Sequence, residues 1–195
     1  MAADILLYKA ELVPVGIDQE PHIEVTREIA RKFNSMFGDT FPEPKRFATA
    51  GEYIPSLLGE GKMSKSVEGS YISLTDDLET IKRRLAAAPT DSGKTGGEVP
   101  KTGGVAHLFT LLKLFSLELY EKYAKDYQEG KIRYSDMKSD LAQLIFNELQ
   151  PFQKKRKEFE NNPQLVDAIL DEHTHQLRRM AQSTIQEVKQ KMGFL

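Results

Sequence analysis

Residues 11 to 38 constrain the fold more than any other part of the chain. ELVPVG reads as a brief buried strand that ends at Gly16, and after the turn GIDQ a helix runs from Pro21, a favoured first-turn residue, to a stop at Gly38. Along that helix Ile23, Val25, Ile29, Ala30, Phe33, Met36 and Phe37 fall within an arc of about 160° at 100° per residue. Arg27, Glu28, Arg31 and Lys32 take the other side. Strand, tight turn and amphipathic helix make half of a βαβ unit, and in such folds ligands bind beyond the carboxyl end of the strand, where GIDQ stands. A glycine there lets a ligand approach the backbone, and the carboxylate of Asp18 just after it can accept both hydroxyl protons of a ribose. As an isolated tetrapeptide, GIDQ is equally well explained by a helix-capping Asp.

The remainder changes character near residue 70, from α/β to all-α. Residues 38–60 carry three prolines and read as loop, with a short strand or turn of helix around Tyr53 to Leu58. Asp76, with Glu79 three residues on, suggests a capping box opening a helix through about Ala88, with Ile81 and Leu85 on one face. Residues 89–104, PTDSGKTGGEVPKTGG, read as a long flexible connector. Helices are then expected over about 105 to 128, 135 to 160 and 163 to 192, the second kinked at Pro151. Leu165, Ile169, Leu170, Leu177, Met180, Val188 and Met192 share one broad face of the last helix and suggest bundle packing.

Composition excludes rather than selects. An apolar fraction of 39% suits a packed domain, and a net charge of −2 gives no global attraction to nucleic acid or anionic membrane. With no cysteine there are no disulfides and no thiolate metal ligands, which fits a reducing compartment. No apolar run approaches the roughly 20 residues of a membrane span, and MAADILLYKA lacks a signal peptide's basic start and cleavage site. A cytoplasmic location without a membrane partner is expected.

Three short motifs carry less than they promise. SGKT in the connector lacks the earlier glycine of a phosphate loop, since that position is Ala88, and a helix leads into it where a strand is needed. His173 and His175 point about 200° apart on a helix, so a core-edge and a surface histidine explain them better than a metal pair. The basic run Lys154 to Lys157 is most simply a solvated helix face. By contrast GKMSKS, Gly61 to Ser66, sets two lysines three apart in a glycine-rich, hydroxyl-flanked loop about 45 residues after GIDQ.

Taken together, GIDQEPHIEVTREIARKFN and GKMSKS resemble the class I aminoacyl-tRNA synthetases, and within them the bacterial tryptophanyl-tRNA synthetases. The MAADILLY start and the later TDDLETI segment match that family in order and approximate spacing, so the resemblance covers nearly the whole chain. The tyrosyl relatives more typically show G-G-S-D-Q and lack the HIEVTR continuation. The implied fold is the C-terminal half of a Rossmann-like nucleotide-binding domain (residues 1–72, with the KMSKS loop) followed by a helical, anticodon-binding type domain (residues 73–195). The implied activity is ATP-dependent formation of tryptophanyl adenylate and transfer to tRNA-Trp, with Mg2+ arriving on ATP and no dedicated metal site, in a homodimer. By resemblance, Lys62 and Lys65 are the catalytic lysines. Gly16, Asp18, Ile54, Met63, Ser64 and Ser66 contact ATP, while Met1, Asp4 and Gln19 contact tryptophan.

The sequence departs from the family in two places. Val67-Glu68 follows the lysine loop where Asp-Pro is usual. The family's histidine-based ATP motif also has no counterpart, since His22 and His107 lie in the wrong contexts. The chain is therefore expected to be inactive alone, with its first strand deprived of parallel neighbours. The alternatives are a non-catalytic tRNA-binding or assembly module, a tyrosyl-tRNA synthetase relative, or an unrelated helical phosphate-binding protein.

Overall fold

The computed structural model describes residues 1–48, 51–93 and 96–194. The rejected SGKT phosphate loop lies partly outside them. Among the described residues the structure is mostly helical, with one small parallel sheet. The chain divides into two compact units, residues 1–52 with 162–195, and residues 53–161. The functional boundary expected at residue 72 falls inside the second.

In the first unit, helix α1 (Ala2–Leu7) and strand β1 (Leu12–Pro14) lead to a 3-10 turn at Ile17–Gln19 and to α2 (Glu20–Phe37), which ends at Gly38 with a φ of +89°. The expected strand, turn and helix are all present. Contrary to expectation, β1 does find a parallel neighbour: it pairs with β2 (Lys45–Phe47), Val13 opposite Arg46. That strand lies in the proline-rich stretch, ahead of the Tyr53 to Leu58 segment where one was sought. The apolar arc of α2 is only partly covered. Ile23, Thr26 and Ala30 are buried, whereas Val25, Ile29 and Met36 are exposed. Thr26 is tolerated inside because its hydroxyl donates to the His22 carbonyl at 2.7 Å.

Helix α7 (Pro163–Lys191) belongs to this unit, not to a bundle. It packs against α1 and is tied by Lys9 to Glu187 at 2.6 Å and by Lys191 to the Thr40 hydroxyl at 2.8 Å. Leu170, Leu177, Met180 and Met192 of its apolar face are exposed, and Thr184 is its buried residue. His173 is exposed as well, so it is a surface histidine like His175.

The second unit holds the larger core. Helices α3 (Leu78–Ala87), α4 (Gly103–Phe115), α5 (Leu117–Gln128) and α6 (Tyr134–Asn161) enclose Ile81, Leu85, Phe109, Leu112, Met137 and Leu141, none more than 2% exposed. Each such side chain contributes roughly 1.5–3 kcal/mol on leaving water. Asp77, not Asp76, caps α3, accepting from the Thr80 N–H at 2.8 Å. Asp76 instead accepts from Ser73 N–H and faces Arg84. The single helix expected over 105 to 128 breaks at Ser116, whose hydroxyl caps α5. α6 continues through Pro151. Nor is the connector loose at Asp91, which accepts from Tyr127 and Tyr134 hydroxyls and from Gly93 N–H, all within 2.8 Å.

Candidate active site

The turn after β1 is built on a steric requirement. Gly16 has an ordinary extended backbone, φ −65° and ψ 163°, so conformation alone would admit any residue. Space does not: a Cβ there would stand 2.7 Å from Oδ1 of Asp18. The Asp18 carboxylate is folded over the bare Cα, and the Gln19 side-chain N–H donates to its Oδ2 at 3.0 Å. A carboxylate only accepts, so this bond fixes the amide of Gln19 with its nitrogen toward Asp18 and its oxygen turned elsewhere. The backbone N–H of Gln19 closes the turn on the Gly16 carbonyl at 3.0 Å.

The next residue, Glu20, is also a carboxylate, and it is committed to scaffolding. Arg27 hydrogen-bonds it and, after the opposing effect of desolvation, Arg46 adds to the pull, holding it below the usual carboxylate range. Arg46 also meets Glu52 at 2.6 Å, and the Glu52 carbonyl lies 3.6 Å from the place a Gly16 Cβ would take. Thus β2 is braced against the start of α2 and the turn. No local signal points to Arg46 or Glu52, because their roles depend on a parallel pairing more than 30 residues apart.

Met1 and Asp4 meet each other in the first turn of α1, where the Met1 amino group is 3.2 Å from Oδ2 of Asp4. α1 turns Ile5 and Leu6 inward, and the Asp4 side chain is 82% exposed.

In the second unit the lysine loop has a fixed base. Met63 N–H donates to the Ile54 carbonyl at 2.8 Å and Ser56 N–H to Gly61 at 3.0 Å, with Pro55 and Lys62 bridged antiparallel between them. Ile54 and Met63, both expected to contact ATP, are brought together, each partly buried against the core. Lys62 is exposed within the base, Lys65 and Ser66 are exposed beyond it, and the Ser64 and Ser66 hydroxyls lie 2.9 Å apart.

Ser70 closes the loop, and sequence reading missed it. It is 1% exposed, accepts from Ser64 N–H at 3.2 Å, and reaches the carbonyls of Ser64 and Val67 at 2.7 Å each. Val67 N–H returns to Ser64 at 3.1 Å, and Glu68 approaches Arg84 at 3.5 Å. Val67-Glu68 is therefore accommodated by a turn without Asp-Pro. A serine after a glycine is too common a pattern to have signalled this.

Some candidates are not assembled into a site. Among Lys154 to Lys157, all exposed, Lys155 pairs with Glu158 and Arg156 with Glu160, as a solvated helix face does. Among the described residues no cluster suited to a metal ion is present, and no helix is long and apolar enough to cross a membrane.

The family model of class I tRNA synthetases for tryptophan and tyrosine (W and Y) matches residues 1–150. The tryptophan–tRNA ligase of Deinococcus radiodurans is 40% identical over 197 residues, covering 100% of this chain and 59% of its own length. That of Porphyromonas gingivalis is 39% identical over 199 residues, covering 100% and 60%. The chain thus spans less than two thirds of these relatives. A crystal structure of tryptophanyl-tRNA synthetase from Mycoplasma pneumoniae superposes with a TM-score of 0.80 at 28% identity, covering 99% of this chain and 59% of that one. The Campylobacter jejuni enzyme complexed with ADP and tryptophan gives 0.74 at 28%, covering 99% and 60%. The base of the lysine loop, the glycine turn after a parallel strand and these matches converge: the chain belongs to the class I tRNA synthetases of the tryptophan and tyrosine type.

Proposed function

We propose that this chain contributes the turn and the lysine loop of a tryptophan–tRNA ligase, which forms tryptophanyl adenylate from ATP and transfers the aminoacyl group to tRNA-Trp. The observation that carries the reading is a glycine-rich loop that holds Lys62 and Lys65 at exposed positions on a base fixed by Ile54, Ser56 and Ser70. Tryptophan is favoured over tyrosine because the ligases of D. radiodurans and P. gingivalis, which match along the whole chain, are tryptophan–tRNA ligases.

In that reaction the tryptophan carboxylate oxygen bonds to the α-phosphorus, and the bond from that phosphorus to the β-bridging oxygen breaks with its electron pair leaving on pyrophosphate. Negative charge builds on the leaving group. Ammonium groups at Lys62 and Lys65 lower the barrier to the extent that they hold this charge more tightly in the transition state than in the ground state. Ser64 and Ser66 offer hydroxyl donors to the same phosphates. Met63 and Ile54 give the adenine an apolar rest. Asp18 accepts from the ribose hydroxyls, and Gly16 keeps the backbone low enough for the ribose to reach it. The oxygen of Gln19, turned from Asp18, accepts from the substrate's ammonium group. Asp4 accepts from the indole N–H, which only donates, and Met1 lines the apolar side of that pocket.

The functional division goes with this reading: residues 1–72 serve a Rossmann-like nucleotide-binding domain and residues 73–195 the tRNA. Mg2+ accompanies ATP without a dedicated protein site, and a cytoplasmic homodimer is the assembly the family resemblance favours. The test is ATP–pyrophosphate exchange by the ligase that carries this chain. Exchange that depends on tryptophan and not on tyrosine supports the reading, and the reverse dependence refutes it.

A further inference from the structure

We propose that His107 is a positioning residue for the lysine loop, holding the base of the loop on α4 through the carbonyl of Ser56. The proposal rests on the loop's role given above only where phosphate binding is concerned. The His107 Nδ1 lies 2.8 Å from the Ser56 oxygen. A carbonyl only accepts, so Nδ1 carries the proton. Ser56 is 2% exposed, and among the described residues its oxygen otherwise meets only the Gly59 N–H at 3.4 Å, so without the imidazole a buried acceptor is left with a weak partner. The N–H of that same Ser56 holds the Gly61 carbonyl, immediately before Lys62. Thus one residue links α4 to the base of the loop.

A second contact from the same end of α4 points the same way. Gly59 packs so closely on Gly104 that a Cβ would stand 2.9 Å from the Gly104 nitrogen, and a Cβ on Gly104 would stand 2.2 Å from the Pro89 carbonyl oxygen. The first turn of α4 therefore meets Gly59 backbone to backbone, and His107, one turn further on, supplies the directional bond to Ser56 that sets the orientation of the same stretch. Both features act on the frame from which Lys62 and Lys65 extend.

Hydrogen exchange on the full chain tests this. In His107→Leu the amides of Ser56 and Met63 should exchange roughly tenfold faster, while those of Leu141 and Ile145 in the helical core keep their rates. His107→Asn should restore slow exchange, because its amide nitrogen sits at the δ position, as Nδ1 does. Should the Leu variant fail to fold, His107→Gln, whose amide lies one bond further out, takes its place with the same expectation. Unchanged exchange at Ser56 and Met63, equal acceleration at Leu141, or no rescue by Asn would overturn the proposal. Calorimetric binding of pyrophosphate separates it from the loop's function. Lys62→Ala and Lys65→Ala should lose binding, His107→Leu should weaken it severalfold, and His107→Asn should not. Lysine variants that bind like the unaltered chain would end the loop reading while leaving the exchange result intact; normal binding by His107→Leu would overturn the positioning role.

Discussion

The hydroxyl of Ser70 sits against both ends of the Ser64 residue, accepting its N–H at 3.2 Å and standing 2.7 Å from its carbonyl. Because Ser70 is buried, no water replaces those bonds easily. Ser70→Ala should cost about 1–3 kcal/mol, the range for stranding a buried polar group. Urea denaturation measures the loss, and hydrogen exchange should localise it to the Ser64 and Val67 amides. A variant as stable as the original would show that the loop closes without Ser70.

Gly16→Ala should leave the fold standing and displace the Asp18 carboxylate, which a methyl group at that position meets at 2.7 Å. If Asp18 accepts from the ribose, the KM for ATP should rise roughly tenfold, the scale of one lost charged hydrogen bond. The KM for tryptophan should change far less. Equal rises in both would place the turn's importance in folding.

Much of this architecture was legible, and what was not has physical causes. Gly16, α2 and the loop lysines could be read because spacing and punctuation are local. The faces of α2 and α7 were misjudged, since periodicity reports where apolar residues lie and not whether anything covers them. Val25, Met36 and Leu177 lie on apolar arcs and are exposed. Asp77 displaced Asp76 as the cap of α3 because Asp76 was drawn to Ser73 and Arg84, the latter a tertiary partner eight residues on. Ser70 and His107 depend on contacts with backbone carbonyls, which leave no mark in the sequence.

Asp91 predicts a pH dependence. Desolvation raises its pKa, but hydrogen bonds from Tyr134, Tyr127 and Gly93 outweigh that and hold it below the usual 3.8. A depressed carboxylate stabilises the fold above the unfolded value, and that contribution is lost as pH falls through the lower folded value. Asp91→Asn should therefore cost roughly 1 kcal/mol at neutral pH, allowing for partial exposure. The gap in Tm between the two proteins should stay constant down to about pH 4 and close below it. A gap that widens in acid would contradict the assignment.

Asp4→Ala should weaken tryptophan binding by roughly tenfold or more, since the indole N–H loses its acceptor. Phenylalanine, which has no such donor, should be affected far less. Calorimetry with both amino acids on the ligase decides it, and equal weakening would assign Asp4 to the fold.

The most direct test of the central claim is the pre-steady-state rate of tryptophanyl adenylate formation after Lys65→Ala, in the ligase that carries this chain. One preorganised cation lost from developing charge should slow that step roughly 100-fold or more, with tryptophan affinity little changed. A normal rate in the variant would contradict the account, because the lysine loop would then have no part in the chemistry.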